Sequence, residues 1–247
     1  RQLLIKLKCM GSSDPLLSWI QSYLTGRKQW VKTSFIKSRL IDVSSGVPQG
    51  SHLGPLLFIL FMNDVKSAFQ DCRFLLFADD VKIFYRITSI LDSIKLQNEL
   101  NSFVNWCRSN DFELNKSKCK LVRFSRKRLM MRQSYFIDVD ELSTVEQIND
   151  LGVTFSNFLL FNSHIENIVN KGNKILGFLL RQCNEFSNMR TLVLLYCSLV
   201  RSLLEYGSLI WSPYVEVNIQ RLENVQKRFV RFLCFKYNIN YRSSDYC

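Results

Sequence analysis

Glycine and proline are scarce in this 247-residue sequence, nine and four in all, and no low-complexity tract interrupts it. That excludes a flexible linker, a collagen-like repeat and wholesale disorder. Histidine is scarcer still: only His52 and His164 are present, and neither lies near a cysteine pair. The eight cysteines are scattered, without a C-x-x-C spacing, so neither a zinc site nor a disulfide framework is indicated. No secretory signal opens the sequence. The longest apolar run, Leu53 to Met62, falls short of the roughly 18 residues that span a bilayer. A reducing intracellular compartment fits these features best.

What remains is apolar and basic. Apolar residues make up 47% and aromatics 13%, enough for a substantial core in one large domain or two modest ones. The formal net charge is +12 and unevenly spread. Eight basic residues and no acid fall between Lys116 and Arg132: Lys116, Lys118, Lys120, Arg123, Arg126, Lys127, Arg128 and Arg132. Such a cluster suits a polyanion, nucleic acid before membrane because no lipid-facing helix accompanies it, but a solvated loop fits the charge equally well. The chain opens at Arg1, without methionine, directly into an apolar-periodic segment, and reads as a piece of something longer.

Periodicity predicts a helical tail over Arg1–Cys9, then a helix from Ser13-Asp14-Pro15 to about Leu24, stopped by Gly26. Two strands are expected at Trp30–Phe35 and Arg39–Val43, then a glycine-bracketed loop, Gly46–Gly50, and an apolar helix from Ser51 to about Phe69. Cys72–Ala78 and Val81–Arg86 read as a tight hairpin of two buried strands. A helix over Ile90–Cys107 carries Leu96, Leu100, Phe103, Val104 and Cys107 on one face. Short strands follow at Lys120–Phe124, Tyr135–Val139 and Leu151–Phe155. Thereafter only helices are expected: one opened by a capping box at Ser163–Glu166, one from Met189 to Tyr206 ended by Gly207, and one from Glu216 to Leu233 with Arg221, Arg228 and Arg231 on its polar side. A domain boundary is expected near residue 158, separating a mixed α/β part from a three-helix part.

Chemistry concentrates at Asp79-Asp80, between the two apolar runs. Neighbouring residues on a straight strand point to opposite faces, so adjacent carboxylates converge only where the chain turns. Two close carboxylates repel unless a cation lies between them, and a hard cation with oxygen ligands, such as magnesium, suits that role beside phosphates. Alone, the pair is also an ordinary exposed hairpin tip. Its context is more specific. Phe77-Ala78-Asp79-Asp80 follows Gly46-Val47-Pro48-Gln49-Gly50-Ser51, which runs into Leu53-Gly54-Pro55-Leu56-Leu57-Phe58. Together these resemble two core motifs of the reverse transcriptases of non-LTR, LINE-type retrotransposons, most similar to the jockey-like group.

That resemblance spans about residues 1 to 215 and implies an α+β fold. A partial polymerase fingers and palm, an antiparallel sheet with packed helices over 1–158, would precede an all-α thumb with a basic C-terminal helix over 159–247. It implies copying of element RNA into DNA by nucleotidyl transfer to a primer 3′-hydroxyl. Asp79 and Asp80 would be catalytic and metal-binding in a two-magnesium site, and Pro48, Gln49, Gly50 and Ser51 would lie against nucleotide and template. Lys118, within Leu114–Cys119, would donate a proton to pyrophosphate, although it also passes as one more cation of a basic run. Leu151, Gly152 and Val153 would grip the primer. Lys116, Lys120, Arg126, Lys127, Arg128, Arg221, Arg228 and Arg231 would meet nucleic-acid phosphates. RNA template, DNA primer and deoxynucleoside triphosphates are the implied partners, in the nucleus and/or cytoplasm, with no membrane role. Active members carry a further aspartate in an earlier stretch resembling Lys-Ala-Phe-Asp, which this sequence lacks. Asp14, Asp42 and Asp64 have the wrong contexts to replace it, and His52 stands where the family usually has an aliphatic residue. The chain as given is therefore expected to bind rather than to polymerise, a catalytically dead remnant being the alternative to a working enzyme part.

Overall fold

The computed structural model describes residues 2–125, 133–183 and 185–239, and the expected phosphate contacts Arg126, Lys127 and Arg128 lie outside them. The chain divides into two compact units, Arg1–Cys119 with Arg132–Leu142, and Lys120–Met131 with Ser143–Cys247. Strands and helices occur in both, which gives the α+β class.

In the first unit, α1 (Gln2–Cys9), α2 (Asp14–Leu24) and α3 (Leu53–Met62) bury Leu3, Leu7, Ile20 and Leu57 together. Pro15 sits in the first turn of α2, where its missing N–H costs nothing. Between α2 and α3 rises a β-ribbon built on β1 (Lys28–Gln29) and β2 (Ile41–Asp42). A 3-10 segment, Asn63–Ala68, continues α3, so the long helix expected to reach Phe69 tightens at its end. The hairpin of β3 (Arg73–Phe77) and β4 (Asp80–Phe84) packs Phe74, Val81 and Ile83 onto Met62, Val65, Ala68, Phe103 and Cys107. Its opposite face leaves Leu75, Phe77 and Phe84 exposed. Each strand therefore has only one buried face, which corrects the expectation of fully buried strands. α4 (Ile90–Ser109) opens on a reciprocal capping box between Ser89 and Asp92 and buries Leu96, Leu100, Phe103, Val104 and Cys107, the stripe read from the sequence. A small hairpin, β6 (Phe136–Ile137) with β7 (Asp140–Glu141), completes the unit.

The second unit pairs β5 (Lys120–Val122) with β8 (Ser143–Val145) in parallel, and β9 (Gln147–Asp150) with β10 (Val153–Ser156) antiparallel. Among the described residues all strands pair two by two, and one pair is parallel, where an antiparallel sheet was expected. Five helices follow: α5 (Asn162–Gln182), α6 (Met189–Tyr196), α7 (Ser202–Glu205), α8 (Ser208–Trp211) and α9 (Glu216–Lys236). A π-helical segment, Cys197–Arg201, joins α6 to α7, so the single helix expected up to Tyr206 is interrupted. The expected capping box at Ser163 does not form. Helix α5 begins at Asn162, two residues before the start that box implies and without a side-chain cap, and Ser163 Oγ accepts from Gln147 Nε2 at 3.1 Å instead. Ile165, Ile168, Leu176 and Leu179 of α5 bury against Leu192, Tyr196, Val200, Val225, Phe229 and Leu233. Arg221, Arg228 and Arg231 stay exposed on the outer side of α9. No helix among the described residues is long and apolar enough to cross a membrane.

Candidate active site

Phe77 pairs with Asp80 across the β3–β4 hairpin, so Ala78 and Asp79 are its two turn residues. Ala78 has φ 51°, the positive first-position dihedral of a type II′ hairpin turn, which glycine normally supplies. Holding a Cβ there costs on the order of 1–2 kcal/mol. The turn sets the adjacent carboxylates of Asp79 and Asp80 at an exposed tip, while the other end of the hairpin is packed through Phe74 and Ile83. A rigid stem carrying two solvent-facing carboxylates is thus built from the sequence pattern Phe-Ala-Asp-Asp between apolar strands.

The loop Gly46–Ser51 precedes α3. Gly46 and Gly50 adopt φ 74° and 78°. Ser51 Oγ donates to Pro48 O at 2.8 Å and accepts from Gly54 N at 3.0 Å. A Cβ on Gly54 would lie 3.1 Å from both Pro48 O and Ser51 Oγ, so a larger residue there would push the loop a few tenths of an ångström off the helix start. Arg27 ties the loop to the ribbon, its Nη2 donating to Gly46 O at 2.6 Å and Ser45 O at 3.1 Å. Gln49 and Gly50 remain exposed. Phe58 and Met62, on later turns of α3, belong to the cluster beneath the acidic hairpin, so one short helix links loop and hairpin.

The remaining positions are less gathered. Lys118 is exposed in the turn after α4, its N–H donating to Asn115 O at 3.0 Å. Lys116 is ion-paired with Asp140 at 2.7 Å and Asp138 at 3.1 Å, and hydrogen bonds first to Asp140 and then to Asp138 raise its pKa. Asp138 also pairs with Arg108. Lys120 Nζ donates to Ser143 Oγ at 3.0 Å. In the second unit, Leu151 and Gly152 form the β9–β10 turn rather than the strand expected there, at φ 46° and 85°. Asn149 Oδ1 accepts from Gly152 N at 3.1 Å, and Tyr206 Oη donates to Leu151 O at 2.9 Å. A Cβ on Gly152 would come 3.1 Å from the Tyr206 ring.

Asp79 and Asp80 offer oxygen donors only, the chemistry of a hard divalent cation. Among the described residues no group of three or more His, Cys, Asp or Glu side chains could hold a metal. Asp64 is taken by Lys6 at 2.6 Å, and Asp42 faces Lys28 at 3.9 Å. The pair therefore fits part of a hard-cation site and does not complete one.

The family model for reverse transcriptase (RNA-dependent DNA polymerase) matches residues 1–155. The chain belongs to the reverse transcriptase family. It is 29% identical over 230 residues to the probable RNA-directed DNA polymerase from transposon X-element of Drosophila melanogaster, 89% of this chain and 25% of that protein. It is 26% identical over 223 residues to the RNA-directed DNA polymerase from mobile element jockey of the same species, 86% of this chain and 24% of the relative. The probable polymerase from transposon BS, also of D. melanogaster, is 27% identical over 228 residues, 88% of this chain and 25% of that protein. The chain thus spans about a quarter of the length of the curated relatives it matches. No solved structure matches it. The relatives named here are polymerases of mobile elements, jockey among them. Both the acidic hairpin and the loop before α3 lie inside the matched 1–155.

The sequence reading passed over three supporting residues. Glu99, buried on α4, accepts the backbone N–H groups of Gln70, Asp71 and Cys72 at 3.3, 2.5 and 2.9 Å and so fixes the entry to β3. Its signal was a carboxylate inside the apolar stripe of an otherwise amphipathic helix. Arg27 and Tyr206 left no such signal, because their partners are backbone carbonyls.

Proposed function

We propose that this chain is the palm and thumb part of an RNA-directed DNA polymerase that copies retrotransposon RNA into DNA, with residues 1–158 as partial palm and 159–247 as thumb. One observation carries the reading: Asp79 and Asp80 stand at the strained tip of a packed hairpin, within the segment matched to reverse transcriptases. The two carboxylates hold part of a two-magnesium site. A divalent cation bound there supplies charge neutralisation for the transferring phosphate and activates the primer 3′-hydroxyl. The exposed backbone of Gln49 and Gly50, close to the N-terminus of α3, is suited to lie against nucleotide and template. Lys118, exposed and with no side-chain partner among the described residues, serves as proton donor to departing pyrophosphate. The Leu151–Gly152 turn with Val153 positions the primer terminus, and Arg221, Arg228 and Arg231, with Lys120, meet phosphates without regard to sequence, whereas Lys116 is held by Asp138 and Asp140.

A second reading is favoured by the lack of a third metal-ligating group among the described residues: this chain alone holds primer and template without chemistry. The two are separated by magnesium-dependent primer extension on an RNA template. The full-length element protein should extend and lose at least about 100-fold on Asp79→Asn, the scale expected when a metal ligand or its support is removed, while the 247-residue chain should not extend. Unimpaired extension by the full-length Asp79→Asn protein overturns the catalytic assignment.

A further inference from the structure

The ribbon between α2 and α3 has no role in the site described above, and its construction is specific. Val43 N donates to Arg27 O at 2.9 Å, Ser38 N to Val31 O at 2.8 Å, and Thr33 N to Ile36 O at 2.9 Å. On the first strand the ladder positions are thus 27, 31 and 33, with Gln29 opposite Ile41. Lys28, Trp30 and Lys32 therefore alternate onto the other face. Across from them, Lys28 faces Asp42 and Lys32 faces Lys37. Between the Gln29–Ile41 and Lys32–Lys37 pairs two residues, Trp30 and Val31, oppose three, Ser38, Arg39 and Leu40, which is a β-bulge in the second strand. Ser38 Oγ accepts from Val31 N at 2.9 Å, satisfying the ladder at that point.

One face of a protruding ribbon therefore presents lysine, tryptophan and lysine in alternation, with a further lysine beside the last and Arg39 on the bulge. Trp30 is 52% exposed and Phe35, at the tip, 97%. Residues 27–43 carry five cations and one acid, Asp42. Arg27 is spent on the loop carbonyls, and Lys28 lies 3.9 Å from Asp42. Lys32, Lys37 and Arg39 have no side-chain partner among the described residues. The exposed indole offers a flat stacking surface, and the cations without a carboxylate partner beside it, Lys32, Lys37 and Arg39, specify a partner of negative charge. Cations spaced by an aromatic platform are the pattern that binds a single nucleic-acid strand, bases stacking on the ring and phosphates on the lysines. The ribbon's base is fastened through Arg27 to the Gly46–Ser51 loop, so a strand lying along it leads toward the loop assigned to template and nucleotide.

We infer that the Lys28–Trp30–Lys32 face of this ribbon, with Lys37, is a binding site for unpaired nucleic acid, a track for single-stranded template. The site rests on the polymerase reading only for the name of that strand. Its test is fluorescence anisotropy of a labelled oligo(U) strand with the 247-residue chain at several salt concentrations. Trp30→Ala should weaken binding about 5- to 100-fold, the scale of one lost base stack. The Lys32→Gln/Lys37→Gln double variant should lower the salt slope by about 1.4, about 0.7 per phosphate contact on a single strand. Trp19→Ala, which removes another exposed indole of the same unit, should leave both unchanged. All three sites are exposed, and far-UV circular dichroism checks that the variants fold. Wild-type affinity and slope in the ribbon variants would overturn the site while leaving the polymerase reading intact. An equal loss in Trp19→Ala would also overturn it. Failure of the wild-type chain to bind any strand would overturn both readings. Trp30-dependent capture of anionic phospholipid vesicles without an effect on oligo(U) would reassign the ribbon to a lipid surface.

Discussion

Replacing Glu99 by glutamine tests whether the acidic hairpin is held from behind. Glu99 is 8% exposed, and its two oxygens accept three consecutive backbone N–H groups, those of Gln70, Asp71 and Cys72. Burial acts to raise its pKa, but the N–H groups of Asp71 and Cys72, with the Cys72 thiol and Gln70 N–H, outweigh it and hold the carboxyl below its ordinary value of 4.5. Reciprocally, burial and the neighbouring carboxylate push the Cys72 thiol up to about 12. Glutamine keeps the shape and one acceptor oxygen, but turns an NH2 group toward backbone donors. Losing about two charge-assisted bonds, with one buried N–H left unmet, costs on the order of 2–4 kcal/mol, or roughly 5–15 °C in Tm for a chain of this size.

The pH dependence gives the same claim a second readout. The folded pKa lies below the unfolded one, so the carboxylate's contribution is fully present above about pH 4.5 and is lost as pH falls through the folded pKa. The stability gap between wild type and Glu99→Gln should therefore be flat at neutral pH and close in acid. Denaturant unfolding at a series of pH values measures the gap, and amide exchange of Asp71 and Cys72 reports the local release. A gap under about 0.5 kcal/mol, within ordinary surface-substitution scatter, or one that persists unchanged into acid, would refute the reasoning.

Other consequences follow from the same geometry. His164 is 2% exposed, its Nδ1 accepts from Thr154 N at 3.2 Å and its ring packs edge-on against Trp211. Burial, then Lys171, lowers its pKa below 6.5, so the second unit should lose stability as pH falls below about 6.5, and unfolding of His164→Gln should lack that step. Gly152→Ala should cost on the order of 1–3 kcal/mol in thermal unfolding, because the new Cβ meets a positive φ and the Tyr206 ring at 3.1 Å, whereas Tyr206→Phe should cost only about 0.5–1.5 kcal/mol. Ala78→Gly relieves φ 51° and should leave stability level or raise it by up to about 1 kcal/mol. If that strain aims the carboxylates, the same change should lower primer extension by the full-length protein.

How much of this was readable in advance depended on whether a feature is local. Helices α2, α4 and α9 follow from their spacing; the cap expected from Ser13 makes no side-chain hydrogen bond to α2, whereas Ser89 with Asp92 caps α4 from within four residues. The hairpin around Asp79 was legible because its turn and both strands are contiguous. Its one-sided burial was not, since that depends on α3 and α4 arriving beneath it. Likewise Ser163-x-x-Glu166 satisfied a capping pattern, yet Gln147 from another element claimed the serine hydroxyl. The parallel pairing of β5 with β8 joins segments more than 20 residues apart, beyond the reach of any short window. Lys116 counted in the sequence as a free cation of a basic run. In the fold it faces Asp138 and Asp140, carboxylates that the intervening residues hide from a reading of local charge.

The same ion pairs bear on the chemistry. A two-metal centre needs more carboxylate than one adjacent pair can give, and the first unit contains other aspartates that could in principle supply it. Three of them are engaged: Asp64 with Lys6, which also donates to Phe61 O at 2.9 Å and lies over the Phe61 ring, Asp138 with Arg108 and Lys116, and Asp92 within the cap of α4. Lys6 is 11% exposed at its side chain, so freeing Asp64 would leave its ammonium with only Phe61 O and the Phe61 and Trp106 rings. Recruiting these acids would break those ion pairs and the cap of α4. On the proposed catalytic reading, any further metal ligand beside Asp79 and Asp80 is a group other than these three acids, each of which already has a partner in the fold.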